Sequence, residues 1–483
     1  MIDAALRRRF AAALGEDAVL DDPLQLRTYE CDGLTGFREV PALVLLPRST
    51  EEVAAAVSLC AEAELPFVAR GAGTGLSGGA VPVARGVVVS TARMRRILAV
   101  EPEDRRMVLQ PGVTNAEITA RAAPYGLYYA PDPSSQIVCT VGGNVAENSG
   151  GAHCVKYGFT VHHVQALRCV LPDGSVVRLG GDAPETEGPD LRGLFIGSEG
   201  TLGIATEITV GLLRAPEAVR TLVADFPGVA AAGDAVSAIM ASGIVPAAVE
   251  MLDALAIEAC EAAVGAGYSL DAAAALVVEL DGLEEECAEQ FARVVELCRA
   301  HGSSGIRIAA DEAERARIWQ GRKAAFAAVG RISPDYFVQD GVVPRTRLTE
   351  ALTRIAELAA EAGLRVANVF HAGDGNLHPL VLFDEKAGEA ERAERLSSDI
   401  AEMCVELGGS LSGEHGIGLD KACSMPRMFG EHDLAVMAGL RTAFDPAGLA
   451  NPGKVLPTPR LCGERPGRYR PHPLESAGVI ERW

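Results

Sequence analysis

The stretch "PFVARGAGTGLSGGA" (residues 66–80) decides the fold of this chain. "PFVAR" reads as a strand, and Gly73-Thr74-Gly75-Leu76-Ser77-Gly78 then matches G-x-G-x-x-G, the spacing of a dinucleotide-binding turn. That turn needs a helix to begin within the loop, so that the helix N-terminus meets a pyrophosphate. The loop runs instead into "GGAVPVARGVVVS" (78–90), where Pro82 and a β-branched strand follow. No acidic residue is expected to end a strand about twenty positions later, where a ribose hydroxyl would need one. Without the helix, glycines can still turn backbone N–H groups inward as an anion nest. The spacing therefore predicts a phosphate-holding loop in a fold other than the doubly wound one.

Two further loops extend this reading. "PDPSSQIVCTVGGNVAENSGG" (131–151) adds hydroxyls and amides to glycine, at Ser134, Thr140, Asn144 and Asn148, and "GSEGTLG" (197–203) is a third. Tight turns in a β-rich domain explain one such loop; three of them suit a long, two-part ligand. Around them helix and strand alternate, as in "STEEVAAAVSLCAEAEL" (49–65), with its Ser49-Thr50 cap, and in the hairpin signal Asp173-Gly174. Near Ala215-Pro216 the glycine loops give way to strand–helix–strand units. "RTLVADF", "VAAAGDAVSAIMASG" and "PAAVEMLD" form the first, and "AALVVELDG", "LEEECAEQFARVVELCRAHG" and "IRIAAD" the second. "DYFVQDG", "RLTEALTRIAELAAEAGL" and "RVANVFHAG" form the third. Units of this kind place helices on one face of an antiparallel, ferredoxin-like sheet. The expected division is 1–216, 217–440 and a Pro/Gly-rich segment 441–483 that packs back on the first domain.

Bulk composition excludes several roles. With 483 residues the chain exceeds one core. A net charge of −21 repels phosphate backbones and anionic lipid, so no nucleic-acid role is expected. No stretch approaches the roughly 20 apolar residues of a membrane span. "MIDAALRRRFAAALGEDAVL" reads as a short amphipathic helix and lacks a signal peptide's apolar core, which points to the cytoplasm. Eleven cysteines without any C-x-x-C argue for reduced, buried thiols and against a thiolate-held cluster.

"NVFHAGDGNLHPLVLF" (368–383) raises a separate question. If Asp374-Gly375 is a two-residue hairpin turn, Gly373 pairs with Asn376 and His371 lies opposite His378. Such cross-strand Cβ atoms are ~5 Å apart, so the imidazoles either share an ion or simply flank a polar turn. "GGSLSGEHGIG" (408–418) offers Glu414 as a third ligand and His415 as an adjacent base.

Together, "PRSTEEVAAAV", the three glycine loops, "IWQGRKAAFAAVGRISPDYFVQDG", "NVFHAGDGNLHPLVLFD", "GGSLSGEHGIGLDK" and "FDPAGLANPGKVLP" resemble the vanillyl-alcohol oxidase/p-cresol methylhydroxylase superfamily, in its 2-hydroxy-acid dehydrogenase branch. The resemblance covers nearly the whole chain. It implies an α+β protein, with a two-part FAD-binding domain, a ferredoxin-like cap and a C-terminal segment returning to the FAD domain. The first glycine loop holds no histidine, so the FAD is expected to be non-covalent. The expected cofactor-holding residues are Arg70, Gly71, Gly73, Thr74, Gly75, Leu76, Ser77 and Gly78 in the first loop. Pro131, Asp132, Ser135, Thr140, Gly142, Gly143, Asn144, Asn148, Ser149, Gly150 and Tyr157 come from the second. Glu199, Gly203, Ile204 and Asn451 complete them.

The resemblance further implies a divalent ion, zinc or manganese, on His371, His378 and Glu414. His415 would take the hydroxyl proton, and the fork of Arg322 would hold a substrate carboxylate. Relatives acting on a substrate with a second carboxylate carry a lysine beside the "YFVQDG" aspartate and an asparagine after the second histidine. Val338 and Pro379-Leu380 stand there instead. A small 2-hydroxy acid, glycolate or D-lactate, is therefore expected. For electron removal the resemblance implies a second flavoprotein-like subunit and an iron–sulfur subunit, which would bring the chain to the inner face of the membrane only peripherally.

Overall fold

The computed structural model describes residues 2–183 and 188–458. Its first sheet has the strand order Val19–Leu20, Leu43–Leu45, Val87–Ser90, Phe67–Arg70, the last three parallel. Helix Thr50–Glu62 makes the crossover from Leu43–Leu45 to Phe67–Arg70, and the Ser49 hydroxyl accepts from the Glu52 N–H at its start. Between Arg70 and Val87 no helix forms, as Pro82 and the glycines predict. The glycine loop itself is the crossover. Leu43–Leu45 and Val87–Val89 are buried throughout, the signature of strands covered on both faces.

Five antiparallel strands form a second sheet, ordered Ile97–Glu101, Arg106–Leu109, Ile204–Gly211, Val164–Val170, Val176–Gly180. Its last two strands turn at Asp173-Gly174, with Gly174 at φ +88°. The second glycine loop contains one short helix, Val141–Glu147. It starts where Thr140 Oγ1 accepts from the Gly143 N–H and ends on Asn148, a left-handed residue at φ +51°.

The cap is one large antiparallel sheet. Its main path runs Gly305–Ile308, Ala218–Phe226, Ala274–Gly282, Ala248–Asp253, Arg365–His371, Asn376–Leu377, Gly341–Val342. Helices Val229–Ala241, Glu284–Ala300, Leu348–Ala362 and Ala390–Glu406 bury one face, as the ferredoxin-like reading expects. The other face is also covered, by helices Ala254–Val264 and Glu312–Ala328. Alternate residues of one strand serve the two cores: Leu276 and Val278 face the first helices, Ala275 and Val277 the second. "AALVV" (274–278) is apolar at every position because water reaches neither side, and the buried Glu279 that follows is held by Arg315 and His153.

The chain returns to the first sheet at residues 449–451. Phe67 N–H donates to the Leu449 carbonyl at 2.9 Å and Asn451 N–H to the Phe67 carbonyl at 2.8 Å. Leu449 and Ala450 join the core under that sheet. The expected wrapping of the remaining tail, 459–483, lies outside the described residues. Among the described residues nine cysteines are free and seven of those buried, whereas Cys423 departs from the expectation of reduced thiols in being disulfide-bonded.

His153 ties the second glycine loop to the cap sheet. Its Nδ1 lies 2.9 Å from Asp132 Oδ2 and its Nε2 3.2 Å from Glu279 Oε1. Burial opposes charge on this imidazole, but the two carboxylates outweigh it and raise its pKa from 6.5 to about 10. A raised histidine pKa contributes stability fully below the unfolded value and loses it as pH climbs through the folded one. Wild-type protein should therefore exceed His153→Gln in thermal stability most at slightly acid pH. That margin should shrink as pH rises from 6.5 through about 10. Paired melting curves across this range check it, and a margin that widens with pH contradicts it.

Candidate active site

A cavity of about 870 Å³ lies where the three glycine loops meet the cap. Ligand pockets run to ~300–1,000 Å³, so this one has room for a long, two-part ligand. Of the expected cofactor residues, Arg70, Gly71, Gly73, Thr74, Gly75, Leu76, Ser135, Thr140, Gly142, Gly143, Asn144, Ser149, Glu199, Gly203 and Ile204 line it. The cradle is built on glycine for a steric reason. A Cβ at Gly71 would lie 2.4 Å from Thr140 Oγ1, and one at Gly142 2.5 Å from Pro111 Cβ. Such backbone approach fits FAD, whose phosphates need close N–H donors. Gly71→Val is expected to push Thr140 off its helix cap and to lower FAD affinity by more than about tenfold (~1.4 kcal/mol) with circular dichroism unchanged. Equilibrium dialysis checks it.

The other expected cofactor residues are placed elsewhere. The Ser77 carbonyl accepts from the Leu419 and Asp420 N–H groups, and Gly78 abuts Leu419. The Pro131 carbonyl accepts from Asn115, and Asp132 holds His153. Asn148 Oδ1 accepts from the Val161 N–H, and the Tyr157 hydroxyl donates to Asp281. Asn451 donates to the carbonyls of Gly79 and Glu199. At Gly150 a Cβ would come 2.7 Å from Glu414 Oε2, so this glycine lets the second loop touch the histidine site.

That site sits in the cap, against the cavity. The hairpin register differs from the two-residue turn expected: His371 pairs with Asn376, so four residues close the turn and Gly375 donates to the His371 carbonyl. His378 is then diagonal to His371, a separation of ~7–8 Å between backbones that imidazoles bridge. The ring centroids are 5.0 Å apart at 87°. His371 Nε2 lies 3.3 Å, and His378 Nε2 3.1 Å, from Glu414 Oε1. One ligand atom from each of His371, His378 and Glu414 falls within 4.8 Å of the others, and the set Asp340, His378, His415 does the same. His378 is 0% exposed, and its Nε2, though near Glu414, sits off any hydrogen-bond line. An orphaned buried ring nitrogen between carboxylates fits a divalent cation.

Two acids organise the histidines. Glu250, 0% exposed, accepts from His371 Nδ1 at 2.7 Å and fixes the ring so that Nε2 faces Glu414. Burial works against charge on His371, yet Glu250 and Glu414 hold its pKa well above the usual value. Asp340 accepts from the Glu414 and His415 N–H groups, the latter at 2.8 Å, and so clamps the loop that carries both. His415 stacks on His378 at 5.0 Å and 7°. Burial lowers its pKa from 6.5 to about 4, with Asp340 opposing, so the imidazole is neutral near pH 7. Its Nδ1 has no partner, and the residue lines the cavity.

Arg322 is absent from the cavity wall. It is 2% exposed, with Nη2 2.6 Å from Glu250 Oε2 in an ion pair lacking hydrogen-bond alignment. The structure thus sets it behind the metal-ligand candidates. Among described lining residues the cations are Arg38, Arg70 and Lys323. Sequence reasoning passed over Glu250, although one acid inside "PAAVEML" is a strong sign of a buried partnered charge. Asp340 served only as a landmark, because nothing local marks it as a clamp.

Fold and site together define a flavin-dependent oxidoreductase of the two-part, cap-bearing kind. Residues 41–180 match the family described as FAD binding domain, and residues 215–455 that of FAD linked oxidases, C-terminal domain. The chain is 51% identical to glycolate oxidase subunit GlcD of Escherichia coli (strain K12), over 92% of this chain and 90% of that protein. It is 33% identical to the mitochondrial D-lactate dehydrogenase [cytochrome] of Arabidopsis thaliana, over 88% and 74%. A crystal structure of p-cresol methylhydroxylase with substrate bound shares the fold at a TM-score of 0.77, with 18% identity and coverage of 93% and 96%. The chain belongs to the FAD-linked oxidases.

Proposed function

We propose that this chain oxidises a small 2-hydroxy acid, glycolate first and D-lactate second, as the flavin-bearing subunit of a larger complex. The carrying observation is His415: a neutral base on the wall of the flavin cavity, stacked on a buried His371/His378/Glu414 cluster. Oxidation removes the hydroxyl proton and a hydride from the same carbon. FAD, when bound, supplies the acceptor for the hydride. A zinc or manganese ion, when held by His371, His378 and Glu414, would stabilise negative charge on the substrate oxygen. His415 accepts the hydroxyl proton through its free nitrogen. Lys323, on the wall, takes the carboxylate role expected of Arg322.

Substrate size follows from the wall. Phe326, Phe337 and Val338 line the cavity on the cap side, and an apolar surface leaves a second carboxylate unpaired. The GlcD relative is called a subunit, which supports partner proteins here. We assign the electron exit to a second flavoprotein-like subunit and an iron–sulfur subunit. No helix among the described residues is long and apolar enough to cross a membrane, so any attachment at its inner face runs through those partners. Anaerobic titration with glycolate, each lactate enantiomer and D-2-hydroxyglutarate tests the reading. Glycolate or D-lactate should bleach the flavin, and bleaching by D-2-hydroxyglutarate alone would overturn it.

A further inference from the structure

The cofactor cavity holds a carboxyl that the proposed reaction leaves unused. Glu147 ends helix Val141–Glu147 and lines the cavity. It occupies a crevice between the first glycine loop and the Glu414-His415 loop. A Cβ at Gly79 would lie 2.8 Å from Glu147 Oε1, and one at Gly416 2.5 Å from its Oε2. Glu199 shares the crevice: the same two positions lie 3.3 Å from its Oε2 and 2.8 Å from its Oε1. Both glycines are there because two carboxyls fill the space.

The two carboxyls differ in what holds them. The N–H groups of Ile417 and Gly418 donate to the two oxygens of Glu199 at 2.7 and 2.8 Å, which favours its anion. Glu147 Oε2 has no partner. Neighbouring carboxylates cannot both ionise cheaply, so the proton goes to the one that hydrogen bonds do not fix as a charge. Asp32, 5% exposed, adds a third acid, its Oδ2 also unpartnered and 4.0 Å from a Cβ at Gly75 that is 3.8 Å from Glu147 Oε1. Ser77 is fully buried, and its unpartnered Oγ points into the same crevice, 3.5 Å from the Gly79 Cβ position.

The cations facing Glu147 are committed elsewhere. Lys454 donates to the Val81 carbonyl and Asn451 Oδ1, both at 2.7 Å. Lys421 reaches the Gly416 carbonyl and Asp420, both at 3.4 Å. Burial first, then Glu199 and Asp32, raise the Glu147 pKa well above the carboxylate range, against the pull of both lysines.

We propose that Glu147 stands in the cavity as a neutral carboxylic acid, kept so by the anchored Glu199, and offers an O–H donor to the bound flavin. The inference rests on the flavin reading. Glu147 is a positioning residue, and ionised it would set a second negative charge against an anionic cofactor.

The test uses the full chain loaded with FAD. Infrared spectra should show a protonated side-chain carboxyl stretch at neutral pH that Glu147→Gln removes. Glu147→Gln, an isosteric donor, should bind FAD within about threefold of wild type (~0.6 kcal/mol) and lack the fall in affinity expected of wild type at alkaline pH. Glu199→Gln should move the loss of the Glu147 band to lower pH, because the repelling charge is gone; a structural role would not predict this. A band that survives in Glu147→Gln, or a pH-independent wild-type affinity, overturns the proposal. A chain that binds no FAD at all instead refutes the flavin reading beneath it.

Discussion

His378→Ala is expected to keep the flavin spectrum and to lower flavin reduction by substrate about a thousandfold. The figure reflects the several kcal/mol that a Lewis acid supplies to developing charge, at ~1.4 kcal/mol per factor of ten. His378 is fully buried on the cap strand side, its Nε2 is aimed between Glu414 and the neighbouring histidines, and the ring supports the stacked His415. None of the glycine cradle depends on it. FAD content should therefore match wild type while bound zinc or manganese drops. Loss of FAD, or retained turnover, would contradict the assignment. Stopped-flow reduction and elemental analysis on one preparation supply both readings.

Arg322→Met is expected to destabilise the cap by about 3–5 kcal/mol, the cost of stripping one partner from a buried ion pair. Glu250 would be left with His371 alone, at 0% exposure, and the ring orientation that Glu250 fixes would loosen. The loss should appear as a lower melting temperature together with weaker metal retention. Adding Glu250→Gln to Arg322→Met should recover part of the stability, since no lone charge then stays buried. A rise in KM at unchanged stability would instead restore Arg322 to the substrate carboxylate, the role its sequence context implies.

The first glycine loop was readable because the chemistry is local. Pro82 and the β-branched run after Gly78 forbid a helix, so the doubly wound reading fails without any knowledge of the rest. The hairpin was half readable. Asp374-Gly375 does make a turn, but Gly375 donates to the His371 carbonyl, which moves the partner of His371 by two residues, from His378 to Asn376. The two histidines still meet because imidazoles span a diagonal as well as a direct pair. Arg322 and Lys323 show the limit of one-dimensional reading. Adjacent residues on helix Glu312–Ala328 point to different surroundings, and only the packing of that helix on the sheet says which one reaches the cavity. The second helical layer of the cap escaped notice for a similar reason: continuous apolar strands state that both faces are covered without stating by what. Asp340 lies beyond local inference, since its value as a clamp depends on a loop some seventy residues later.

The central claim is that a metal-dressed histidine cluster activates a 2-hydroxy acid beside a flavin. It is tested most directly by mixing the FAD-loaded chain with glycolate under anaerobic conditions, before and after chelation, and again after adding back zinc or manganese. The account predicts bleaching that chelation abolishes and the returned ion restores, with the FAD still bound throughout. Bleaching that persists undiminished in chelated protein would contradict it.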